Sequence, residues 1–151
     1  RRDDVLSTSR FSGSMLVNQQ GEPTTEMVEQ FKMSPPGTIL VSPSVGAGYD
    51  FPLTDCEWQF VCKIPFPDGR QKIVKARQED DKEYGPYQAF TKLEQIFGRG
   101  MRMKAYQCEG FIGDDHMEWF VNRYRHLASK SFHQRYRIIS TLPAPPPRLE
   151  V

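Results

Sequence analysis

The run Thr38-Ile39-Leu40-Val41-Ser42 (TILVS) is stopped hard at both ends. SPPG (Ser34 to Gly37) precedes it and PSVGAGYDFP (Pro43 to Pro52) follows it. Proline lacks the donor a helix needs, so a helix arriving at Ser34 must end there. A short, continuous apolar run between such stops reads as a strand buried on both faces, the kind that sits in a parallel sheet.

The segments on either side extend this reading. Met15-Leu16-Val17-Asn18 is a short strand ended by the turn residues NQQGEP. In TTEMVEQFKM, Thr24 or Thr25 can cap a helix, Glu26 sits in its first turn, and Met27, Val28 and Phe31 form an apolar stripe. Trp58 to Ile64 (WQFVCKI) is a third strand, stopped by PFPDG. A charged helix and loop, GRQKIVKARQEDDKEYG, lead to a helix over YQAFTKLEQIFGRGMR. CEGFIG (Cys108 to Gly113) is a fourth strand, ended by Asp114-Asp115-His116. One helix is expected from Met117 to about Tyr136, with Met117, Phe120, Val121, Tyr124 and Leu127 on one face. The tail over 141–151, which ends in LPAPPPRLEV, is proline-rich and reads as extended or disordered. Strands alternating with helices predict an α/β domain with a mainly parallel sheet, and function in such sheets gathers at the carboxyl ends of the strands.

Composition sets outer bounds. A chain of 151 residues with 38% hydrophobic and 26% charged residues fits one globular domain. The formal charge is +1, so there is no global basic field, and any nucleic-acid surface must come from local clustering. Cys56, Cys62 and Cys108 form neither a disulfide framework nor a CxxC pair, and the expectation is reduced, buried thiols. His116, His126 and His133 do not stand at metal-ligand spacing with them, so no metal site is expected. No apolar run approaches the roughly 20 residues of a membrane span. No signal peptide is expected, because no apolar segment follows the arginines of the opening RRDDVLSTSR. A start without Met suggests a fragment or a processed product.

Two segments can carry chemistry. In Ser42 to Pro52, hydroxyls and glycines follow a strand, and an aspartate stands between aromatics. Ser42 and Ser44 could donate to phosphate, and Asp50 could accept from a sugar hydroxyl or orient a water. Equally, the stretch could be a glycine-rich loop with Asp50 as a turn cap. In LEQIFGRGMR, Gln95, Arg99 and Arg102 lie at i, i+4 and i+7, near one face of a continued helix. The guanidinium forks of Arg99 and Arg102, beside a glutamine, suit a polyphosphate. Alternatively they complement the negative end of a helix dipole. Gly98 and Gly100 remove side chains where a nucleotide or another domain would come close.

Taken together, these segments resemble the second RecA-like lobe of superfamily 2 helicases, in the branch with DinG-like and Rad3-type DNA helicases. ILVSPSVGAGYDFP is similar to that branch's motif V, WQFVCKIPFPD to the next strand and its Pro-Phe-Pro ending, and LEQIFGRGMR to motif VI, Gln-x-x-Gly-Arg-x-x-Arg. FIGDDH takes the place of a strand that usually ends in a single Asp followed by Arg, which leaves Asp114, Asp115 and His116 without an assigned role. The resemblance covers about Met15 to Tyr136. It implies a three-layer α/β lobe over 1–140, with a mainly parallel central sheet flanked by helices, lacking its first strand and belonging to a larger protein.

The resemblance also implies roles. Arg102 is similar to the arginine finger that reaches the γ-phosphate of ATP, and Arg99 and Gln95 would line the same cleft. Gly48 and Asp50 would couple nucleotide state to the DNA track, and Ser42 and Ser44 would touch the backbone of single-stranded DNA. ATP and Mg²⁺ would be held mainly by a first lobe, the partner that supplies the phosphate loop and the Asp-Glu box; neither motif occurs in these residues. The isolated chain is therefore expected to be inactive, and the full-length protein an ATP-dependent DNA helicase. The expected setting is a bacterial or phage-type cytoplasm or the nucleoid. Two other readings compete. One is a non-catalytic module binding nucleic acid or protein through Trp119, Tyr124, Arg123 and Arg125. The other is a free-standing metabolic enzyme using Asp50, Asp114 and His116.

Overall fold

The computed structural model describes residues 7–18, 21, 23–45, 48–51, 56–99 and 108–139. A 3-10 turn at Ser12–Ser14 leads into β1 (Met15–Val17), followed by α1 (Thr24–Lys32) and β2 (Ile39–Val41). Then come β3 (Trp58–Val61), α2 (Lys72–Asp80), α3 (Tyr84–Gly98) and β4 (Glu109–Ile112). The last elements are α4 (Met117–Tyr124), a 3-10 turn at Arg125–Leu127 and α5 (Lys130–Arg135).

The four strands form two parallel pairs among the described residues. β1 lies beside β2 with Met15 opposite Ile39 and Val17 opposite Val41. The Asn18 N–H donates to the Val41 carbonyl at 2.9 Å and extends that ladder by one rung. β3 lies beside β4 with Trp58 opposite Glu109 and Val61 opposite Ile112. Parallel neighbours need a crossover, and helices supply it in both pairs: α1 between β1 and β2, α2 and α3 between β3 and β4. This is a mixed α/β, RecA-like arrangement of parallel strands flanked by helices.

The main core lies under the helices. Ala89, Phe90 and Leu93 of α3 face Met117, Phe120 and Val121 of α4, with Phe132 of α5 and Ile64 closing the cluster. The Phe90 ring lies 4.6 Å from that of Phe120 and 5.2 Å from that of Phe132, the latter edge to face. Such contacts add to the area term of each ring. A second, smaller packing centre joins α1 to the loop after β2: Val28 is fully buried, and Phe51 packs edge-on against Phe31 at 6.0 Å.

Four local expectations change. β2 is half-buried rather than sealed on both faces, since its described partners are β1 on one edge and α1 on one side. Neither threonine caps α1, whose N-cap is Pro23 with no side-chain bond, because both hydroxyls are engaged elsewhere. The single helix expected over 117–136 breaks at Ala128, which is extended (ψ 147°). There Ser129 starts α5 by accepting from the Phe132 N–H at 3.1 Å, and Glu94 of α3 accepts from the Ser129 N–H at 3.3 Å. The break turns Phe132 back onto Phe90, which a straight helix would carry away from the core. Nor are the thiols buried: Cys62 is exposed, and Cys56 and Cys108 are only partly covered.

Candidate functional site

Gly48 sits in the loop after β2 with φ +88°, a conformation that side chains other than glycine's rarely adopt. That turn carries Tyr49 and Asp50 toward the end of α3. α3 ends at Gly98, and Arg99 is its C-cap, still in helical conformation. Phe97 packs so closely over Gly110 of β4 that an added Cβ there would lie 2.5 Å from its ring. The helix end is thereby seated on the strand, and the Arg99 side chain has a defined direction.

Arg99 points at the loop. Its Nη1 donates to the Tyr49 carbonyl at 2.8 Å and to Asp50 Oδ1 at 3.2 Å. The side chain is 22% exposed. Its Nε is buried and meets no acceptor among the described residues. The guanidinium is thus held at one nitrogen and carries an unused donor on the next. A fixed arginine of this kind can present charge without first losing side-chain freedom.

A second cluster lies at the carboxyl ends of β1 and β2. Asn18 is 1% exposed. Its Oδ1 accepts from the hydroxyls of Ser42 at 2.9 Å, Ser44 at 3.2 Å and Thr24 at 3.5 Å. The Ser44 and Thr24 oxygens are themselves 2.9 Å apart. Thr24 is the first residue of α1, so the hydroxyls surround the positive end of a helix that has no side-chain cap. Tyr49 joins the two clusters: its carbonyl accepts from Arg99, and its hydroxyl lies 3.1 Å from that of Thr25. A hydrogen-bonded path therefore runs from the end of α3 through the glycine turn to the start of α1.

Of the residues singled out from sequence, Arg99, Gly48 and Asp50 come together, and Ser42 and Ser44 come together beside them. Gln95 is exposed one turn before Arg99. Arg102 and Gly100 lie outside the described residues. An added Cβ at Gly98 would meet nothing within 4 Å, so packing among the described residues does not require glycine there. Asn18, Thr24, Thr25 and Tyr49 build the site but were not singled out for it. Their signals were faint: a polar residue closing an apolar run, and two threonines read as helix caps.

Asp114 has a structural task. Its carboxylate accepts the Ile64 N–H at 2.9 Å and the His116 N–H at 2.9 Å, joining the end of β3 to the turn after β4. Those two N–H groups, the Ile64 one foremost, hold its carboxyl below the usual carboxylate range. Trp119 is 56% exposed and meets Tyr124 edge-on at 6.0 Å.

Parallel strand pairs under helices, with an arginine at a helix end seated on a glycine-turn loop beyond a strand, define a RecA-like α/β lobe. The particular family follows from comparison with known families: the model of the helicase C-terminal domain matches residues 3–135, and the chain belongs to that family. Comparison with curated proteins and with solved structures gives no match. Among the described residues, no helix is long and apolar enough to cross a membrane.

Proposed function

We propose that this chain is the second motor lobe of an ATP-dependent DNA helicase. In this reading it supplies motifs V and VI to an ATP site shared with a first lobe. The observation that carries the proposal is the hold of Arg99 on Tyr49 and Asp50, because it ties the arginine segment to the loop that carries Ser42 and Ser44. The donor set suits half of a polyphosphate site: a clamped guanidinium at Arg99, Gln95 one turn earlier, and Arg102 three residues on. ATP with Mg²⁺, held mainly by the first lobe, supplies the phosphoanhydride. Arg102 and Arg99 contribute positive charge opposite it. Gly48 and Asp50 move with that arginine segment, and Tyr49 transmits the movement to Thr25 and the hydroxyl cluster. Ser42 and Ser44, with the start of α1, receive backbone phosphates of single-stranded DNA. Binding of this kind is sequence-independent and salt-sensitive.

Arg102→Ala in the full-length protein should lower kcat of the DNA-stimulated ATPase by about 10³-fold, by analogy with arginine fingers. ATPase near wild type would refute the assignment. The exposure of Trp119 beside Tyr124, Arg123 and Arg125 favours one other reading, a non-catalytic module that stacks bases. That reading requires single-strand binding by the isolated chain to fall several-fold in Trp119→Ala and to be indifferent to Ser44→Ala. A phosphate loop and an Asp-Glu box in the upstream coding sequence would favour the motor.

A further inference from the structure

The sulfurs of Cys56 and Cys108 lie 3.8 Å apart, although the residues are 52 positions apart in sequence. The β3–β4 ladder brings them together. Cys108 directly precedes β4, and Cys56 stands two residues before β3, whose first residue pairs with the first of β4. Both cysteines are free and partly exposed, so a small reagent can reach them. The Cys56 thiol also contacts the Trp58 carbonyl at 3.3 Å, which aims it along the strand. A disulfide needs the sulfurs about 2 Å apart, and the remaining gap is within reach of side-chain rotation at positions flanking the ladder.

We propose that Cys56 and Cys108 form a reversible disulfide that staples the starts of β3 and β4, with a low-molecular-weight disulfide such as oxidised glutathione as the oxidant. The Cys108 thiolate attacks one sulfur of that reagent. A protein–glutathione bond forms, the reagent's own bond breaks, and one glutathione leaves as thiolate. Cys56, after giving up its proton, attacks the Cys108 sulfur; the Cys56–Cys108 bond forms and the second glutathione leaves. Two protein thiols are oxidised, one small disulfide is reduced to two thiols, and the protons lost by the cysteines are recovered by glutathione. Burial pushes both thiols up, Cys56 to about 12 with the neighbouring Cys108 adding to the effect. Thiolate is therefore scarce near neutrality, and closure is slow there and faster as pH rises. Cys108 is also where the chain returns after the stretch carrying Arg102, so the staple would tether the far end of that stretch to β3.

The test uses the chain with exposed Cys62 changed to Ser, equilibrated in glutathione redox buffers, quenched by alkylation and read by intact mass and peptide mapping. The expected product has lost two hydrogens per chain, contains a linked Cys56–Cys108 peptide and reverts with dithiothreitol. Its equilibrium constant should be roughly tenfold or more higher in the folded chain than in urea, because the ladder raises the effective concentration of the two thiols. Glutathione adducts without the linked peptide would overturn the proposal. So would equal equilibrium constants in the folded and unfolded chain.

Discussion

The helical core and the polar cluster at the ends of β1 and β2 are built from different materials. Under α3, α4 and α5, rings of Phe90, Phe120 and Phe132 meet within 4.6–5.2 Å, and the cluster is wholly apolar. At the ends of β1 and β2, the buried centre is the amide of Asn18, and hydroxyls occupy the positions that methyl groups would fill. The first region holds its shape through dispersion and area removed from water, which are non-directional. The second holds it through directional bonds that can be exchanged for bonds to a ligand at small net cost. Stability is therefore concentrated on the helical side, and the capacity to respond on the polar side.

The comparison can be broken from either end. Phe120→Ala should cost about 3–5 kcal/mol in urea unfolding, as a large ring leaving a tight core does; a loss below 1 kcal/mol would mean the helical side is not the anchor. Asp114→Ala should cost about 2–3 kcal/mol, because two backbone N–H groups lose a charged acceptor. The pH dependence checks its sign. A carboxylate lowered from 3.8 stabilises the fold above that value, and its contribution is lost as pH falls through the lower folded value. The variant's stability should accordingly fall less steeply in acid than the wild type's. Asn18→Ala should cost only about 1–2 kcal/mol, since the hydroxyls it orients lie near water, yet it should weaken single-strand binding by the full-length protein. Ser44→Ala should stay within about 0.5 kcal/mol of wild type in stability while still weakening that binding. A Ser44 variant that unfolds readily but binds normally would reverse the contrast.

Much of the site was legible because motif residues carry their own constraints. Gly48 needs positive φ, and the apolar stop-bounded run before it demands a strand, so the loop's place at a strand end could be read directly. That Arg99 turns toward Tyr49 and Asp50 could not, because it depends on Phe97 settling over Gly110 in a strand that follows later in the chain. The helix break at Ala128 was hidden for a related reason. The stripe from Met117 to Leu127 has helical spacing throughout, and only the pull of Phe132 toward Phe90, with Glu94 holding the Ser129 N–H, selects the kink. The absence of a threonine cap on α1 is the same lesson in polar form, with Asn18 and Ser44 outcompeting the local bond.

By itself the sequence determined where strands and helices alternate and where glycine and proline interrupt them. These follow from forces acting over a few residues: ring closure in proline, the missing Cβ of glycine and the period of apolar side chains. Tertiary structure alone decided that Asn18 gathers Thr24, Ser42 and Ser44, that Tyr49 bridges to Arg99, and that two cysteines half a hundred residues apart stand side by side. Each is a contact between distant segments, and its geometry exists only once the strands have paired and the helices have packed.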